Sequence, residues 1–425
     1  MEGESRRARR ARRARRPEPA ELPWFRLPPP PGADDDAPVL VLGAGLGGCA
    51  LARALAGRGR RSVLIERGPD VAAGASGNPA AVAKPFVTRA PSEAETFHLE
   101  AFRTLRRQLD EGDDDADGTG SAGIGRRAGF RPCGALQLTE RPYPPRDPYR
   151  VVDADEASAL AATALRSGGV AFDGAGWLDP AALCRALADS SLVERLVDAD
   201  VVGIERGADD HWHVRIRDGR RRHAPLLVLA TGNAIARTPW TETFPSMPAR
   251  GQISRFRLRP GSTPPTCVVS GRHYVIPDGE TLYVGATFER GEEDHAVRET
   301  DHAANRAGLA VLLPDARVHD EPISGHAGVR ATTPDRLPLV GPVPDGKACR
   351  RAYANLGDGH PPARYPPLPT LPGLATLGGF GSRGVVTAPL CAELLADWIT
   401  GGRDLQRWMP LVSPVRFTLR ALRRS

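Results

Sequence analysis

Three glycines spaced as Gly43-x-Gly45-x-x-Gly48 offer the clearest chemistry in this sequence. Gly43 would permit a tight turn, Gly45 would let the backbone approach a pyrophosphate, and Gly48 would let a helix pack closely on a strand. A helix that begins at Cys49 would direct its free N–H groups and the positive end of its dipole toward phosphate oxygens, and the backbone amides around Leu46 would help to hold them. The spacing therefore predicts a dinucleotide-binding loop.

An acidic residue follows this loop at the distance such a site requires. Glu66 lies 18 residues after Gly48, at the end of a second apolar run, and its carboxylate can accept a hydrogen bond from a ribose 2′-hydroxyl. A carboxylate there would repel a 2′-phosphate, so the position disfavours NADP. We include the adjacent Arg67 among the candidate cofactor-binding residues.

Two further segments could contact the same cofactor. Thr231 and Gly232 end a buried apolar run, Leu226 to Leu229, at a point suited to the edge of a sheet beside the nucleotide. Near the C-terminus a glycine-rich loop precedes a long apolar helix, and its candidate residues are Gly379, Phe380, Gly381, Ser382, Arg383 and Gly384. Backbone N–H groups and a helix N-terminus at this loop would suit the N1/C2=O edge of a flavin, where negative charge develops on reduction. The alternative is a flexible glycine loop.

Arg330 is the candidate for binding a substrate. It opens the run Arg330 to Gly341, and its guanidinium could hold a carboxylate through two parallel hydrogen bonds. It could equally be a surface residue that forms an ion pair. The sequence alone leaves both interpretations open.

The elements that would position these residues can be read from apolar periodicity. Short apolar runs at 39–42 and 63–65 flank the first glycines, which predicts a strand–helix–strand unit. Residues 250–290 alternate with period two and predict an antiparallel sheet. The pattern also predicts a surface loop, several strands and two helices; these are the loop 110–127, strands at 132–138 and 201–217, helices at 179–187 and 388–399, and a proline-rich loop at 344–372.

The composition indicates a soluble globular protein of two or three domain-sized cores, with 425 residues and 25% charged residues. The net charge of +6 is accounted for by eight arginines and two glutamates within residues 1–16. That segment could bind RNA phosphates or be a solvated extension. Six cysteines without a CxxC pair indicate reduced thiols and a cytoplasmic protein rather than a zinc or disulfide framework, and we expect neither a bound metal nor a membrane span.

These residues together resemble the D-amino-acid-oxidase-like superfamily of flavoproteins. More narrowly, the chain resembles the FAD-dependent C-terminal module of the MnmC family, whose members mature the wobble uridine of certain tRNAs. The narrower resemblance rests on the segments Gly74-Ala75-Ser76-Gly77-Asn78, Gly176 to Pro180, Arg250 to Ile253, Gly285 to Phe288, Arg330 to Gly341 and Gly381 to Gly384. It implies that Ala75, Ser76, Gly77 and Asn78 also contact the cofactor, which would be FAD.

The resemblance implies a reaction on a CH–NH bond. The carboxymethyl group of carboxymethylaminomethyl-uridine would be removed as glyoxylate, with Arg330 or Arg383 holding the carboxylate and molecular oxygen accepting the electrons. Only 38 residues precede the first predicted strand, so we expect the methyltransferase domain of such enzymes to be missing here and a separate methyltransferase to complete the pathway. Two alternatives stay open: an oxidase of free glycine, sarcosine or another small amine, and an RNA-binding protein that keeps FAD as a structural element.

The resemblance also implies the architecture, which is α/β plus β. A Rossmann-like FAD-binding domain of the D-amino-acid-oxidase and glutathione-reductase type would be joined to an antiparallel β-sheet substrate domain. The expected ranges are 38–125, 170–240 and 325–405 for the FAD-binding domain, 126–169 and 241–324 for the substrate domain, 1–37 for a disordered tail or linker remnant, and 406–425 for a C-terminal tail. Pro23-Trp24-Phe25 resembles the junction between the two halves of the MnmC family.

Overall fold

The computed structural model describes residues 18–30, 36–111, 123–141 and 143–423. Its strands are β1 (Val39–Leu42), β2 (Ser62–Ile65), β3 (Ala81–Ala83), β4 (Ala135–Leu138), β5 (Arg150–Val152), β6 (Gly169–Phe172), β7 (Gly176–Leu178), β8 (Val193–Leu196), β9 (Val201–Arg206), β10 (Trp212–Ile216), β11 (Arg221–Ala224), β12 (Leu227–Leu229), β13 (Met247–Arg257), β14 (Val268–Ser270), β15 (Tyr274–Asp278), β16 (Thr281–Gly285), β17 (Glu289–Arg290), β18 (Ser324–Thr332), β19 (Leu339–Pro344) and β20 (Thr370–Gly378).

The α-helices within the same ranges are α1 (Leu46–Ala56), α2 (Glu93–Asp110), α3 (Ile124–Arg127), α4 (Ala154–Ala161), α5 (Pro180–Leu187), α6 (Glu299–Leu312), α7 (Gly346–Ala352), α8 (Gly384–Ile399), α9 (Asp404–Val412) and α10 (Val415–Leu422). Short 3-10 turns complete the elements, among them Ala75–Gly77, Gly232–Arg237 and Gly381–Arg383. No described helix has both the length and the apolar character needed to cross a membrane.

A six-stranded sheet carries the predicted dinucleotide loop. Its order is β19-β20-β12-β1-β2-β8, and every neighbouring pair is parallel except β19 with β20. Strand β1 is central and its residues Val39, Leu40 and Val41 are fully buried, as the uninterrupted apolar run predicted. Helices α1, α2 and α8 pack on one another beside this sheet. The strand–helix–strand prediction is confirmed.

A second sheet of nine strands is mostly antiparallel. Its order is β17-β13-β16-β15-β14-β4-β6-β5, with β18 pairing along the other edge of β13, and only β14 and β4 run parallel. Strand β13 spans eleven residues and pairs with β18 through nine of them, from Met247 to Arg255. The antiparallel sheet expected from the alternation in 250–290 is therefore present. A three-stranded sheet (β11-β10-β9) and a pair (β3-β7) complete the topology.

The ranges expected for two domains stay a prediction, but the strand pairing moves two strands across them. The expected ranges place residues 170–172 and 325–332 in the FAD-binding part, whereas β6 and β18 pair within the nine-stranded sheet. Both strands belong to the nine-stranded sheet because of their backbone hydrogen bonds. Strand β18 pairs with residues 247–255 of β13, and β6 pairs with β4 on one side and β5 on the other.

Both chain ends contradict the expectation of tails. Trp24 and Phe25 lie in the 3-10 turn Pro23–Phe25 and are 3% and 8% exposed, while residues 406–423 lie largely in α9 and α10. Gln406 joins the two ends, because its Nε2 donates to Ala20 O and Phe25 O and its Oε1 accepts from Leu27 N. The helices form because Leu405, Met409, Val412 and Val415 recur at helical spacing and are fully buried. The rest of the predicted N-terminal tail lies outside the described residues.

Four local predictions also need correction. The proline-rich segment 344–372 is not one long loop, since Asp345 accepts hydrogen bonds from Lys347 N and Ala348 N and starts α7 there. The strand predicted at 201–217 is a hairpin, β9 and β10. Of the loop predicted at 110–127, residues 124–127 form α3, and 112–122 lie outside the described part of the chain. The helix predicted from 388 begins at Gly384 instead.

Candidate functional site

The loop from Gly43 to Gly48 has the tight geometry that its glycines predicted. Gly43 has φ +104°, and a Cβ there would lie 2.4 Å from Ala230 O. A Cβ on Gly48 would lie 1.9 Å from Gly43 O, so any side chain would force α1 away from β1. Gly45 is the N-cap of α1 and supplies no side-chain hydrogen bond to the first turn. The helix N-terminus is thus left to bind an acceptor from outside it.

Glu66 lies beside this loop, as predicted. Its Oε2 accepts from Ala44 N at 2.9 Å and its Oε1 accepts from Gly68 N at 3.0 Å. These bonds fix the carboxylate at the end of β2, next to β1, and each oxygen has further acceptor capacity. Arg67 points to solvent and contacts none of the described residues through an ion pair.

The segment Gly74 to Asn78 closes over the start of α1. Ser76 Oγ accepts from Leu46 N at 3.0 Å, which ties two predicted binding residues together across 30 positions. Ala75 and Gly77 share its 3-10 turn, and a Cβ on Gly77 would lie 3.6 Å from the His326 ring. This segment therefore connects the glycine loop to strand β18.

The C-terminal glycine loop also reaches the start of α1. A Cβ on Gly47 would lie 2.9 Å from the Phe380 ring, and one on Gly384 would lie 3.4 Å from Leu46. Gly379 and Gly381 have φ of +68° and +56°, a backbone region that L side chains rarely adopt. Ser382 is exposed, and Arg383 is the N-cap of α8 without a side-chain capping bond. The loop 379–384 and the loop 43–48 therefore both lie at the N-terminal end of α1.

Thr231 and Gly232 complete the edge of the sheet. Thr231 Cα lies 3.5 Å from the position of a Cβ on Gly43, and its hydroxyl is 3.1 Å from that of Thr238. Gly232 begins a 3-10 turn with φ +55°. The structure therefore brings together the residues predicted from all three glycine-containing segments.

Arg330 does not form the surface ion pair that the sequence left open. Its side chain lies in β18, has Nη1 buried without a hydrogen-bond partner, and forms no ion pair with a described carboxylate. Burial lowers the pKa of Arg330 below its ordinary value, and the Tyr274 phenol partly opposes this effect. A buried guanidinium without a counter-charge favours binding of an anionic ligand.

Gly251 makes the space in which Arg330 lies. A Cβ on Gly251 would be 2.0 Å from Arg330 Nη1 and 2.6 Å from Thr287 O. Thr287 is held in turn by β13, since its hydroxyl accepts from Gln252 N at 3.0 Å. The two motifs Arg250 to Ile253 and Gly285 to Phe288 therefore line the space around this guanidinium.

Other unpartnered polar atoms lie on the strands and the loop 74–78 around Arg330. Asn78 Oδ1 and His326 Nε2 are buried without hydrogen bonds, and the Asn78 side chain lies close to the Tyr274 hydroxyl. Burial raises the pKa of Tyr274 and lowers that of His326. Each residue keeps part of its surface accessible, as residues that line a recess do. The arrangement suits a small polar ligand that offers both acceptors and a donor.

A second group of cationic side chains lies around Arg383. Its guanidinium stacks on Phe86 at 3.9 Å from the ring centre, and Phe86 meets His98 edge to face at 5.1 Å. Lys84 Nζ donates to Gln137 Oε1 at 2.7 Å. Burial, followed by the charge of Arg383, lowers the pKa of Lys84 to about 8 and that of His98 to about 3. Burial and then the charge of Arg336 lower the pKa of Arg383 to about 10.

These residues fit FAD. The helix N-terminus at Gly45 and the close backbone turns suit the pyrophosphate, Glu66 suits the ribose, and the loop 379–384 suits the edge of a flavin that gains negative charge. Among the described residues no group of three or more metal-ligating side chains is present. Two surface clefts, one lined around His302 and Arg306 and one around Gln108 and Trp408, include none of the predicted site residues.

Sequence reasoning missed Lys84, Tyr274 and His326. Lys84 carried a usable signal, because Lys84 and Lys347 are the only lysines among 57 basic residues. Such a chain places arginine wherever a positive charge suffices, so a lysine stands out. Tyr274 and His326 lie on separate strands of the nine-stranded sheet and approach the loop 74–78 only through the fold.

Comparison with known proteins agrees with this site. A model of the FAD dependent oxidoreductase family matches residues 38–398. The tRNA 5-methylaminomethyl-2-thiouridine biosynthesis bifunctional protein MnmC of Ectopseudomonas mendocina (strain ymp) is 34% identical over 418 residues, which are 93% of this chain and 61% of that protein. The MnmC protein of Pseudomonas aeruginosa (strain UCBPP-PA14) is 35% identical over 418 residues, covering 94% and 62%. The chain thus spans about three fifths of the length of these relatives.

Known structures share the fold at lower identity. Glycine oxidase from Geobacillus kaustophilus superimposes with a TM-score of 0.66 at 22% identity, covering 86% of this chain and 96% of that one. Iminodiacetate oxidase from Chelativorans sp. BNC1 gives a TM-score of 0.65 at 22% identity, covering 88% and 99%. The expected fold class, an FAD-binding α/β part combined with a β-sheet part, is confirmed.

Proposed function

The chain belongs to the family of FAD dependent oxidoreductases, and from this premise we propose that it oxidises the secondary amine of a carboxymethylaminomethyl-uridine at the wobble position of tRNA. Its cofactor is FAD. The proposal is supported by the 34% and 35% identity to two MnmC proteins over more than nine tenths of this chain. The single structural observation that carries it is the buried, unpaired guanidinium of Arg330 within reach of the FAD-binding loops.

The proposed substrate ends in a glycine-like group, –NH–CH₂–COO⁻. Arg330 would hold this carboxylate, because burial without a counter-charge makes an anion favourable there, and Tyr274 would add a hydroxyl donor. We therefore favour Arg330 over Arg383 as the residue that binds the carboxylate. Arg383 is stacked on Phe86 and belongs to a different group of side chains.

The reaction then needs few protein groups. When bound, FAD supplies the two-electron acceptor, and molecular oxygen is proposed to restore it with release of hydrogen peroxide. The CH₂ next to the carboxylate loses a hydride and the amine loses its proton, which leaves an imine in the substrate. Water hydrolyses that imine to glyoxylate and the aminomethyl-uridine. The protein would orient the CH₂ by fixing the carboxylate.

An oxidase of free glycine or sarcosine is the second candidate. Such molecules present the same carboxylate and amine, so the surroundings of Arg330 suit them as well. The two candidates differ in what surrounds the reacting group, since only the tRNA substrate adds a base, a ribose and phosphates.

A direct assay separates them. Purified, FAD-loaded protein would be incubated with tRNA that carries carboxymethylaminomethyl-uridine, with glycine and with sarcosine, and nucleosides, glyoxylate and peroxide would be measured by mass spectrometry and a peroxidase-coupled assay. We expect aminomethyl-uridine and glyoxylate in equal amounts from the tRNA. Turnover of glycine or sarcosine with none of the tRNA would overturn the proposal. In cells that lack the gene, we expect carboxymethylaminomethyl-uridine to accumulate.

A further inference from the structure

The candidate site contains two separate cationic centres, and one bound carboxylate accounts for only one of them. The first centre is Arg330, which lies beside the Tyr274 phenol. The second consists of Lys84, Arg383 and Arg336, whose charges lie close enough to affect one another. We call this second group the outer cationic cluster.

The outer cationic cluster has no internal counter-charge. Its three members form no ion pair with a carboxylate in the described parts of the chain, and neighbouring His98 is held uncharged by its low pKa of about 3. The nearest acid in the sequence, Asp335, is bound by Arg416 and Arg420 instead. Like charges brought together without a counter-ion destabilise a folded chain, so a ligand that provides an anion offsets this cost.

The outer cationic cluster extends from half-buried side chains to an exposed one. Lys84 and Arg383 are half-buried, whereas Arg336 is exposed. On the other side Lys84 binds Gln137, Gln137 Nε2 donates to the Tyr143 hydroxyl at 3.3 Å, and an exposed arginine, Arg89, lies over the Tyr143 ring at 5.5 Å. Cations interleaved with accessible aromatic rings suit a nucleotide, because phosphates bind the cations and bases stack on the rings.

We propose that Lys84, Arg383 and Arg336 form a phosphate-binding subsite for the RNA backbone beside the modified uridine, while Arg330 binds its carboxylate. The inference rests on the proposed function and extends it. A carboxymethylaminomethyl nucleotide in RNA bears two anionic groups, its carboxylate and its phosphate, and the candidate site has two cationic centres. Free glycine has one. The outer cationic cluster therefore gives the site its preference for nucleotide over amino acid.

RNA binding tests the subsite independently of turnover. The probe is a fluorescein-labelled anticodon stem-loop with an unmodified wobble uridine, titrated by anisotropy against FAD-loaded protein at several KCl concentrations. For Arg336→Gln, Lys84→Met and Arg383→Gln we expect an affinity roughly 5- to 10-fold weaker and a salt slope that falls by about 1 for each charge removed. Arg221→Gln, an exposed arginine on β11, is the matched control and should bind as wild type does. Lys84→Arg should restore binding.

A second measurement shows whether a variant is misfolded and whether the three residues serve only to bind FAD. FAD content from the visible absorbance and the thermal midpoint are recorded for every variant. Wild-type RNA affinity and salt slope in all three cluster variants would overturn the subsite, and so would a loss of FAD with RNA binding intact. Failure of the proposed function has a different signature: no conversion of carboxymethylaminomethyl-uridine by wild type, whatever the RNA binding shows.

Discussion

Arg416 and Asp335, 81 residues apart, form a two-pronged ion pair in which Nε donates to Oδ2 at 2.9 Å and Nη2 donates to Oδ1 at 3.0 Å. Arg416 lies in α10 and its side chain is 2% exposed. The same guanidinium donates to the carbonyls of Val412, Ser413 and Leu337. The C-terminal helix therefore fixes the turn 333–337, and this turn supports the flavin loop, because a Cβ on Gly379 would lie 3.0 Å from Thr333.

Breaking this pair should destabilise the protein. Arg416→Met leaves the mostly buried Asp335 carboxylate with the exposed Arg420 and the Leu337 N–H as partners, and we expect a loss of about 3 kcal/mol in the free energy of unfolding. Urea denaturation followed by fluorescence measures it. Arg420→Met is the control, because an exposed pair contributes less than about 1 kcal/mol. Equal losses in the two variants would show that the buried pair has no special role.

Alanine at Gly48 should abolish FAD binding. The new Cβ would meet Gly43 O at 1.9 Å, so α1 must move away from β1 and the helix N-terminus leaves its position beside the loop. We expect purified Gly48→Ala to be colourless, or to bind added FAD at least about 100-fold more weakly, a loss of about 2.7 kcal/mol. Gly174→Ala, where a Cβ meets nothing within 4 Å, should stay yellow. Normal FAD content in Gly48→Ala would refute the assignment of the loop.

Alanine at Gly251 should mimic the loss of Arg330. Its Cβ would occupy the place of Arg330 Nη1 and push the guanidinium out of position. Because each charged hydrogen bond contributes about 1.5–3 kcal/mol, we expect KM to rise about 10- to 100-fold in Gly251→Ala and in Arg330→Met. The double variant should be no worse than Arg330→Met alone, since both changes remove the same contact. Additive losses would separate Gly251 from Arg330. FAD content, measured alongside, should stay normal.

Lys84 makes stability depend on pH in alkaline solution. Its pKa is about 8 in the folded chain and 10.5 ordinarily, so between these values the unfolded chain binds more protons and stability rises with pH. Below about pH 8 the cost of burying the charge is fully present. We expect Lys84→Met apoprotein to be more stable than wild type at pH 7, with the difference shrinking toward pH 10. Denaturant unfolding at both pH values tests this. If the difference in unfolding free energy between wild type and Lys84→Met did not change with pH, the charge of Lys84 would be solvated and the prediction wrong.

The part of the site that sequence could predict is the part made by local backbone. Gly43, Gly45 and Gly48 are required by contacts within one strand–turn–helix unit, and Glu66 follows at the end of the adjacent strand. Such requirements depend only on residues that are close together in the sequence. The strand–helix–strand unit and the alternating sheet at 250–290 were predictable for the same reason.

What could not be predicted depends on pairing between distant strands. The space for Arg330 is made by Gly251, and the two residues meet only because β13 and β18 pair in a fixed register. Register cannot be read from a single strand with alternating residues. The burial of Trp24 against Tyr353 and Tyr365 likewise needs segments that no local pattern links, which is why residues 18–30 were wrongly expected to be disordered.

The docking of residues 18–30 has a consequence for how the chain is made. Gln406 donates to Ala20 O and Phe25 O, and Trp398 Nε1 donates to Pro28 O at 2.9 Å, so these three hydrogen bonds join residues 370 to 386 positions apart. Residues 18–30 can form these hydrogen bonds only after α8 and α9 have been synthesised. We therefore expect closure of this long loop to be a late event of folding.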